Sequence, residues 1–371
     1  MTEILISGGG IAGCAAALAL HRAGVQVSVH EAHPTSSEDL GSFLIAPSGG
    51  VQVLEELGVL DSLEEITTPL ARMTVLSPDA SKTFVSRSLA SEGAPKYRLV
   101  RRGALVEVLQ QQVEAAGIPL HRGSRVVAAA GRIGDVQACT EIGEKYHADL
   151  IVAADGLGSA LRPVVNPNDP AARYVGQLLF WGFTKDRRWG TVDDMHVMTG
   201  PDLAFGYIPI DSGTYWFARV DSPEKSREEL ARFDFSAFLD NSLIALPKEI
   251  AATATPYASG SYDLPFVSAW SGQGVLLIGD AAHAASPATG QGGGYALEDA
   301  LVLGKAVRDR GDLASALDSY ERARRGRTQA NVVASARMCT GPETLADAPQ
   351  GQQIDPAAAL SQVRWSEPLP A

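Results

Sequence analysis

Short apolar runs closed by glycine recur along this chain: Ile4 to Ile6 before Gly8, residues 148–154 (ADLIVAA) before Gly156, and Val275 to Ile278 before Gly279. A continuous apolar run bounded by turn residues reads as a buried strand. Around the first run the pattern predicts a strand from Glu3 to Ser7, a tight turn at Gly8, a helix from about Ile11 to Ala23 and a second strand from Val25 to His30. Residues 34–50, rich in Pro, Ser and Gly, read as a long loop, and Val51 to Leu60 as a helix. Apolar and polar positions alternate from Arg72 to Arg87, as in a strand or hairpin, and Leu105 to Ala116 is again helical. From Tyr174 to Val220, aromatic and β-branched residues recur between the turn signals GPD and DSG, which predicts an antiparallel sheet. After Trp270 the chain returns to strand, glycine-rich loop and helix.

These elements predict two interleaved lobes in an α/β fold: a Rossmann-like nucleotide-binding domain and a mainly antiparallel substrate domain. Residues 1–70, 96–172 and 266–337 are assigned to the first, and 71–95 with 173–265 to the second. Residues 338–371, rich in Ala, Pro and Gln, read as a C-terminal tail or capping segment. With 371 residues, 45% of them apolar, each lobe can bury a core of its own. A formal charge of −12 argues against nucleic acid and against an anionic membrane surface as partners. No uninterrupted apolar run is long enough to span a membrane, and a glycine-rich loop stands where a signal peptide would have its apolar region. Cys14, Cys139 and Cys339 are too scattered for a disulfide framework, so a reducing cytoplasm is expected.

The chemistry lies in two glycine-rich segments some 270 residues apart. In GGGIAG, Gly8, Gly10 and Gly13 form a GxGxxG. Gly10 lets a pyrophosphate approach the amides of Ile11 and Ala12 at a helix N-terminus, and Gly13 lets that helix lie close to the strand. Glu31, followed by Ala32, stands near the spacing at which an acid meets a ribose hydroxyl. The second segment, GDAAHAASPATGQGGG at 279–294, again follows a strand and leads into a helix. Together they predict one extended cofactor held from both ends, noncovalent FAD. His30 and His33 beside Glu31 lack a third ligand, so no metal is expected, and His283 is read as a packing and orienting residue.

The order of these motifs resembles that of the single-component FAD-dependent aromatic hydroxylases of the p-hydroxybenzoate hydroxylase type, from about residue 3 to 330. GGGIAG with Glu31, DGLGSALR from Asp155 to Arg162, and the 279–294 segment carry the resemblance. It implies a two-lobe flavoprotein of the glutathione-reductase type, in a short form without a C-terminal thioredoxin-like domain. It further implies that Asp280 accepts a hydrogen bond from an FAD hydroxyl and that Pro287 walls the isoalloxazine. Gly290, Gln291, Gly292, Gly293 and Gly294 would bring amides to the pyrimidine edge. Arg102, with Arg101 as a competitor, would reach the ribityl and phosphate region, and Val126 completes the expected set. Asp155 is read as structural first and cofactor-binding second. In its bland reading DGLGSALR is a capped helix start with Arg162 exposed. Family members commonly carry Asn where this chain has Gly294.

By that resemblance the chain is an NADH- or NADPH-dependent monooxygenase that passes oxygen from O₂, through a flavin C4a-hydroperoxide, to a small or mid-sized aromatic or other electron-rich substrate. With no second GxGxxG, the nicotinamide would bind transiently on the existing surface. Strand alternation nominates Phe205, Tyr207 and Trp216, with His196 and Met198, as pocket residues, on the supposition that Arg219 points to solvent. Ordinary sheet core is the competing reading for each, and no catalytic base is named. Other readings are a reductase resembling the geranylgeranyl reductases and a non-catalytic FAD-binding accessory. A halogenase is disfavoured, because FGYIPI stands in place of WxWxIP.

Overall fold

The computed structural model describes residues 2–35, 42–185, 189–200, 203–240, 246–251, 256–340 and 355–370. The expected loop at 34–50, the GPD turn and the segment 338–371 thus lie partly outside the described residues. Strands Glu3–Ser7, Gln26–Glu31, Leu120–Arg122, Leu150–Ala153 and Val275–Leu277 run parallel in one sheet, with Ser271–Gly272 antiparallel at its edge. The central members, Ile4 to Ile6, Leu150–Ala153 and Val275–Leu277, are apolar along their length because helices cover the sheet there, as parallel strands require. The register sets the strands' carboxyl ends side by side: Ser7 pairs with His30 and Ala153, and Ala153 with Leu277. Helices Ile11–Arg22 and Gly292–Asp309 pack so closely that a Cβ on Gly304 would lie 2.7 Å from that of Ala19.

A second sheet has seven strands, in the order Tyr257–Asp263, Arg173–Thr184, Gly213–Asp221, Leu203–Ile210, Asp194–Thr199, Arg72–Leu76, Thr83–Ser88. The last two are the antiparallel hairpin that alternation predicts for Arg72 to Arg87. One face, carrying Leu178, Phe180, Phe205 and Trp216, is sealed by the helical segments that bear Leu230, Phe235, Leu239 and Ile250. The opposite face, through Phe183, Ile208, Ile210 and Tyr215, packs on a three-stranded sheet of Phe43–Ala46, Tyr97–Arg101 and Thr67–Leu70. That small sheet also touches helices Gly292–Asp309 and Arg102–Ala115.

One expectation is corrected, and of two alternatives left open one is taken up. Inside 34–50, residues read as loop form the strand Phe43–Ala46, and the helix begins at Ser48, running to Glu56. Gly49 and Gly50 are there for close approach: a Cβ on Gly49 would sit 2.1 Å from an oxygen of Glu298, and one on Gly50 3.2 Å from Gly294. At the other end of the chain, residues 355–370 cap the first lobe instead of trailing free. Helix Pro356–Gln362 leads to a fully buried Val363, and the guanidinium groups of Arg22 and Arg308 lie 4.6 and 4.7 Å from the Trp365 ring. Lys305, itself fully buried, donates to the Gln362 carbonyl at 2.6 Å. Among the described residues, no helix is long and apolar enough to cross a membrane.

Candidate functional site

The first glycine-rich turn is closed by backbone contacts that only glycine allows. Gly8 has φ +108°, and a Cβ there would lie 2.4 Å from the Ala154 carbonyl oxygen. A Cβ on Gly13 would lie 1.8 Å from the Gly8 oxygen. Gly10 differs, because a Cβ there would meet nothing within 4 Å, so its backbone faces open space. It is also the N-cap of the first helix, with no side-chain cap, which leaves the amides of the first turn, Ile11 and Ala12 included, as free donors beside the positive end of the helix dipole. Glu31 ends the second strand, where its carboxylate accepts from the Gly9 amide at 2.7 Å and the His33 amide at 2.8 Å. Ala32 follows, half-buried. Burial pushes the Cys14 thiol up to about 12, and it donates to the Gly9 carbonyl at 3.2 Å, so Cys14 packs the turn.

The distal segment meets the same turn. Gly279 has φ +57°, and its Cβ position lies 3.1 Å from the Cβ of Ala12. Asp280, next in the chain, is exposed at the mouth between them. Pro287 opens a 3-10 turn to Thr289, and at Gly290 and Gly292 the space beside the backbone is open. Gly293 faces Leu44 of the small sheet, while Gln291 lies near the phenol of Tyr97. A Cβ on Gly294 would be 2.4 Å from the Pro47 ring, so here Pro47 fills the room an Asn side chain would need.

Asp155 lies against Gly8, and its carboxylate accepts from the Ala160 amide at 2.9 Å while Ser159 caps the Arg162 amide at 3.0 Å. Arg162, expected to be exposed in the bland reading, is buried; it donates to the Ala281 carbonyl at 3.2 Å and the Leu157 carbonyl at 2.9 Å. It therefore ties the DGLGSALR turn to the distal segment. Arg102 is exposed at the first position of helix Arg102–Ala115, its amide bonded to the Ser42 carbonyl. Val126 is buried in the first-lobe core at the start of strand Val126–Arg132.

Behind the distal segment lies a charged network that sequence reasoning missed. His283 meets Asp299 at 2.5 Å, and Asp299 also accepts from the Gly279 amide at 3.0 Å and from Arg324 at 2.7 Å. Arg324 and Arg327 approach Glu298 at 2.9 and 2.8 Å, close enough for ion pairs but without the angles of hydrogen bonds. Glu298, Asp299 and Arg324 are fully buried. The available signal was the pair of acids inside the apolar stretch YALEDALVL, which no surface-facing helix stripe would place there.

The nominated pocket residues do share a face, since His196 pairs with Tyr207, Met198 with Phe205, and Tyr207 with Trp216. It is the sealed face. Phe205, Met198 and Trp216 are fully buried, with Tyr207 and His196 nearly so, and Trp216 stacks on Phe235 with ring centroids 5.7 Å apart. Among the described residues neither nitrogen of His196 makes a hydrogen bond of good geometry, and burial lowers its pKa. The physical reason for the correction is that both faces of this sheet are apolar, so alternation alone did not say which one the helices cover. Trp216→Phe is accordingly expected to cost about 1–3 kcal/mol of stability in urea unfolding, as a buried core substitution does. FAD content and the share of reducing equivalents lost as H₂O₂ should not change. An unchanged unfolding midpoint with more H₂O₂ would return Trp216 to the pocket.

Comparison with known proteins adds to this geometry. The family described as FAD binding domain matches residues 1–335. Aurachin C monooxygenase/isomerase of Stigmatella aurantiaca is 31% identical over 346 residues, 90% of this chain and 88% of that protein. A FAD-dependent urate hydroxylase of Klebsiella pneumoniae is 29% identical over 353 residues, 91% of this chain and 89% of its own. The crystal structure of Klebsiella pneumoniae HpxO complexed with FAD and uric acid is similar at a TM-score of 0.82 and 27% identity, over 93% of this chain and 90% of that one.

Proposed function

We propose a function from the premise that this chain belongs to the FAD binding domain family. It is an FAD-dependent monooxygenase, an oxidoreductase that hydroxylates a small-molecule substrate. Our own reading concerns the residues and the substrate. The observation that carries it is the approach of the two glycine-rich segments, Gly279 against Ala12, at the carboxyl ends of parallel strands, with the backbone open at Gly10 on one and at Gly290 and Gly292 on the other, and the Asp280 carboxylate exposed. These residues fit FAD: the first-turn amides of helix Ile11–Arg22 suit its pyrophosphate, Glu31 a ribose, Asp280 a further hydroxyl, and the Gly290–Gly294 backbone the flavin ring. When bound, FAD takes electrons from NADH or NADPH and passes one oxygen atom of O₂ to the substrate. The chain's part is to orient the two partners and exclude water, which the apolar sheet face turned toward Phe43–Ala46 suits. We read the substrate as a planar, electron-rich aromatic, after the urate named for one relative. The three free thiols suit a reducing cytoplasm.

The test is anaerobic reduction of the purified holoprotein by NADH and NADPH, then reaction with ¹⁸O₂ in the presence of candidate aromatics. A product heavier by one labelled oxygen is expected; reduction with no oxygenated product from any candidate would sink the reading. On the cofactor itself, Glu31→Ala should weaken FAD binding roughly 10- to 100-fold, the value of a charged hydrogen bond of about 1.5–3 kcal/mol. Reconstitution of apoprotein with FAD measures it, and an unchanged Kd would remove Glu31 from the ribose.

A further inference from the structure

The face of the seven-stranded sheet that looks toward the small sheet carries a cation, Arg219, with no ion-pair partner among the described residues. On strand Gly213–Asp221, residues Tyr215, Phe217 and Arg219 share that face, opposite to Trp216 and Ala218. Phe43 lies against it, its ring 5.3 Å from Tyr215 and 6.3 Å from Phe217. Cross-strand pairing sets Trp181 beside Phe217, and Leu179 and Ala204 beside Arg219. Arg219 thus stands about 7 Å beyond Phe217 along the strand. Its Nη1 is buried with no hydrogen-bond partner, and among the described residues the guanidinium makes no ion pair. Asp221, the nearest acid on its own strand, is bonded instead to Gln177 at 2.8 Å. The indole nitrogen of Trp181 is likewise buried and unpartnered.

Two buried donors, one charged, left open beside a part-exposed aromatic pair form an arrangement that a ligand would complete, since unmet buried donors are costly. We propose that Arg219, with Trp181 beside it, binds the anionic oxygen of a planar aromatic substrate, whose ring lies over Trp181 and Phe217. The inference rests on the monooxygenase reading above, and it adds the substrate's charge. A carboxylate and an ionised ring hydroxyl offer the same chemistry, a conjugated oxygen anion.

The test is calorimetric titration of the holoenzyme with 4-hydroxybenzoate against 4-hydroxybenzamide, and with 4-nitrophenolate against 4-nitroanisole, in wild type, Arg219→Met and Arg219→Lys. In wild type at least one anion should bind more tightly than its neutral counterpart, with the pair that discriminates telling carboxylate from ring oxygen. Arg219→Met should erase roughly 10- to 100-fold of that preference while leaving the neutral compound's Kd in place, and Arg219→Lys should restore part of it. Equal loss for anion and neutral compound would make Arg219 structural and overturn the proposal. So would wild type binding neither anion, or binding the neutral compounds better. Because FAD content and NAD(P)H-driven flavin reduction are read on the same preparations, a holoenzyme that is reduced normally but ignores charge sinks the anion site alone.

Discussion

Arg324→Met should leave little flavin-loaded protein at neutral pH. Arg324 is fully buried between Glu298, at 2.9 Å, and Asp299, at 2.7 Å, and its loss leaves two core carboxylates under-compensated, Glu298 with Arg327 and Asp299 with His283 and the Gly279 amide. Removing one partner of a buried ion pair costs about 3–5 kcal/mol, a large part of the roughly 5–15 kcal/mol that holds a typical domain. The damage should reach the cofactor site, because Asp299 also anchors the Gly279 amide, next to Asp280. Urea unfolding and flavin-to-protein absorbance measure both effects. In wild type, burial works to raise the Asp299 pKa, but His283 and Arg324 outweigh it and hold it at about 2. The stabilisation from that shift is present above the ordinary value of 3.8 and is lost as pH falls toward about 2. In Arg324→Met the dependence should invert, with relative stability recovering as the medium is acidified and the under-compensated carboxylates take up protons. A variant with wild-type midpoint and flavin content would show that the network does not support the loop.

Gly13→Ala and Gly10→Ala should separate fold from cofactor. At Gly13 the new methyl would stand 1.8 Å from the Gly8 carbonyl oxygen, a backbone atom that no rotamer change can move aside. The turn must open, so both stability and FAD should be lost. At Gly10 the methyl meets no protein atom, and φ is −81°, ordinary for alanine. The apoprotein should therefore be as stable as wild type, while FAD binds about tenfold or more weakly, since the methyl stands where the pyrophosphate must come. Apoprotein unfolding and FAD titration decide. A Gly10→Ala protein with wild-type FAD affinity would displace the cofactor from this turn.

Much of the site was legible because its signals are local. Apolar runs and glycines with fixed neighbours mark Gly8, Gly13 and Gly279 without reference to distant parts of the chain. What was not legible depends on packing between elements. Trp216 and Phe217 are adjacent on a strand whose two faces are both apolar, and Arg219 reads as solvent-facing until Phe43 is seen beside Phe217. Glu298 and Asp299 interrupt an apolar helix stretch, but the arginines of another helix that let them stay inside are not marked by any local pattern. Pro47, Gly49 and Gly50 look like loop residues, and only their contacts with Gly294 and Glu298 give them a reason. The C-terminal segment has the composition of a tail, yet Trp365 sits between two guanidinium groups.

The strand order of the parallel sheet has a consequence for how the protein is made. Strand Leu150–Ala153 lies between Glu3–Ser7 and Val275–Leu277, so the sheet acquires its last parallel member only when residue 277 has been synthesised. At about 5–20 residues per second, roughly 15–50 s separate the ribosomal exit of the first glycine turn from that of the second. Through that interval the nascent chain carries the first glycine turn without the second, and from residue 153 onward it also carries an unpaired edge at Leu150–Ala153. Cofactor loading therefore belongs to the end of translation, and a ribosome stalled anywhere before Gly279 holds a chain that cannot grip FAD from both sides.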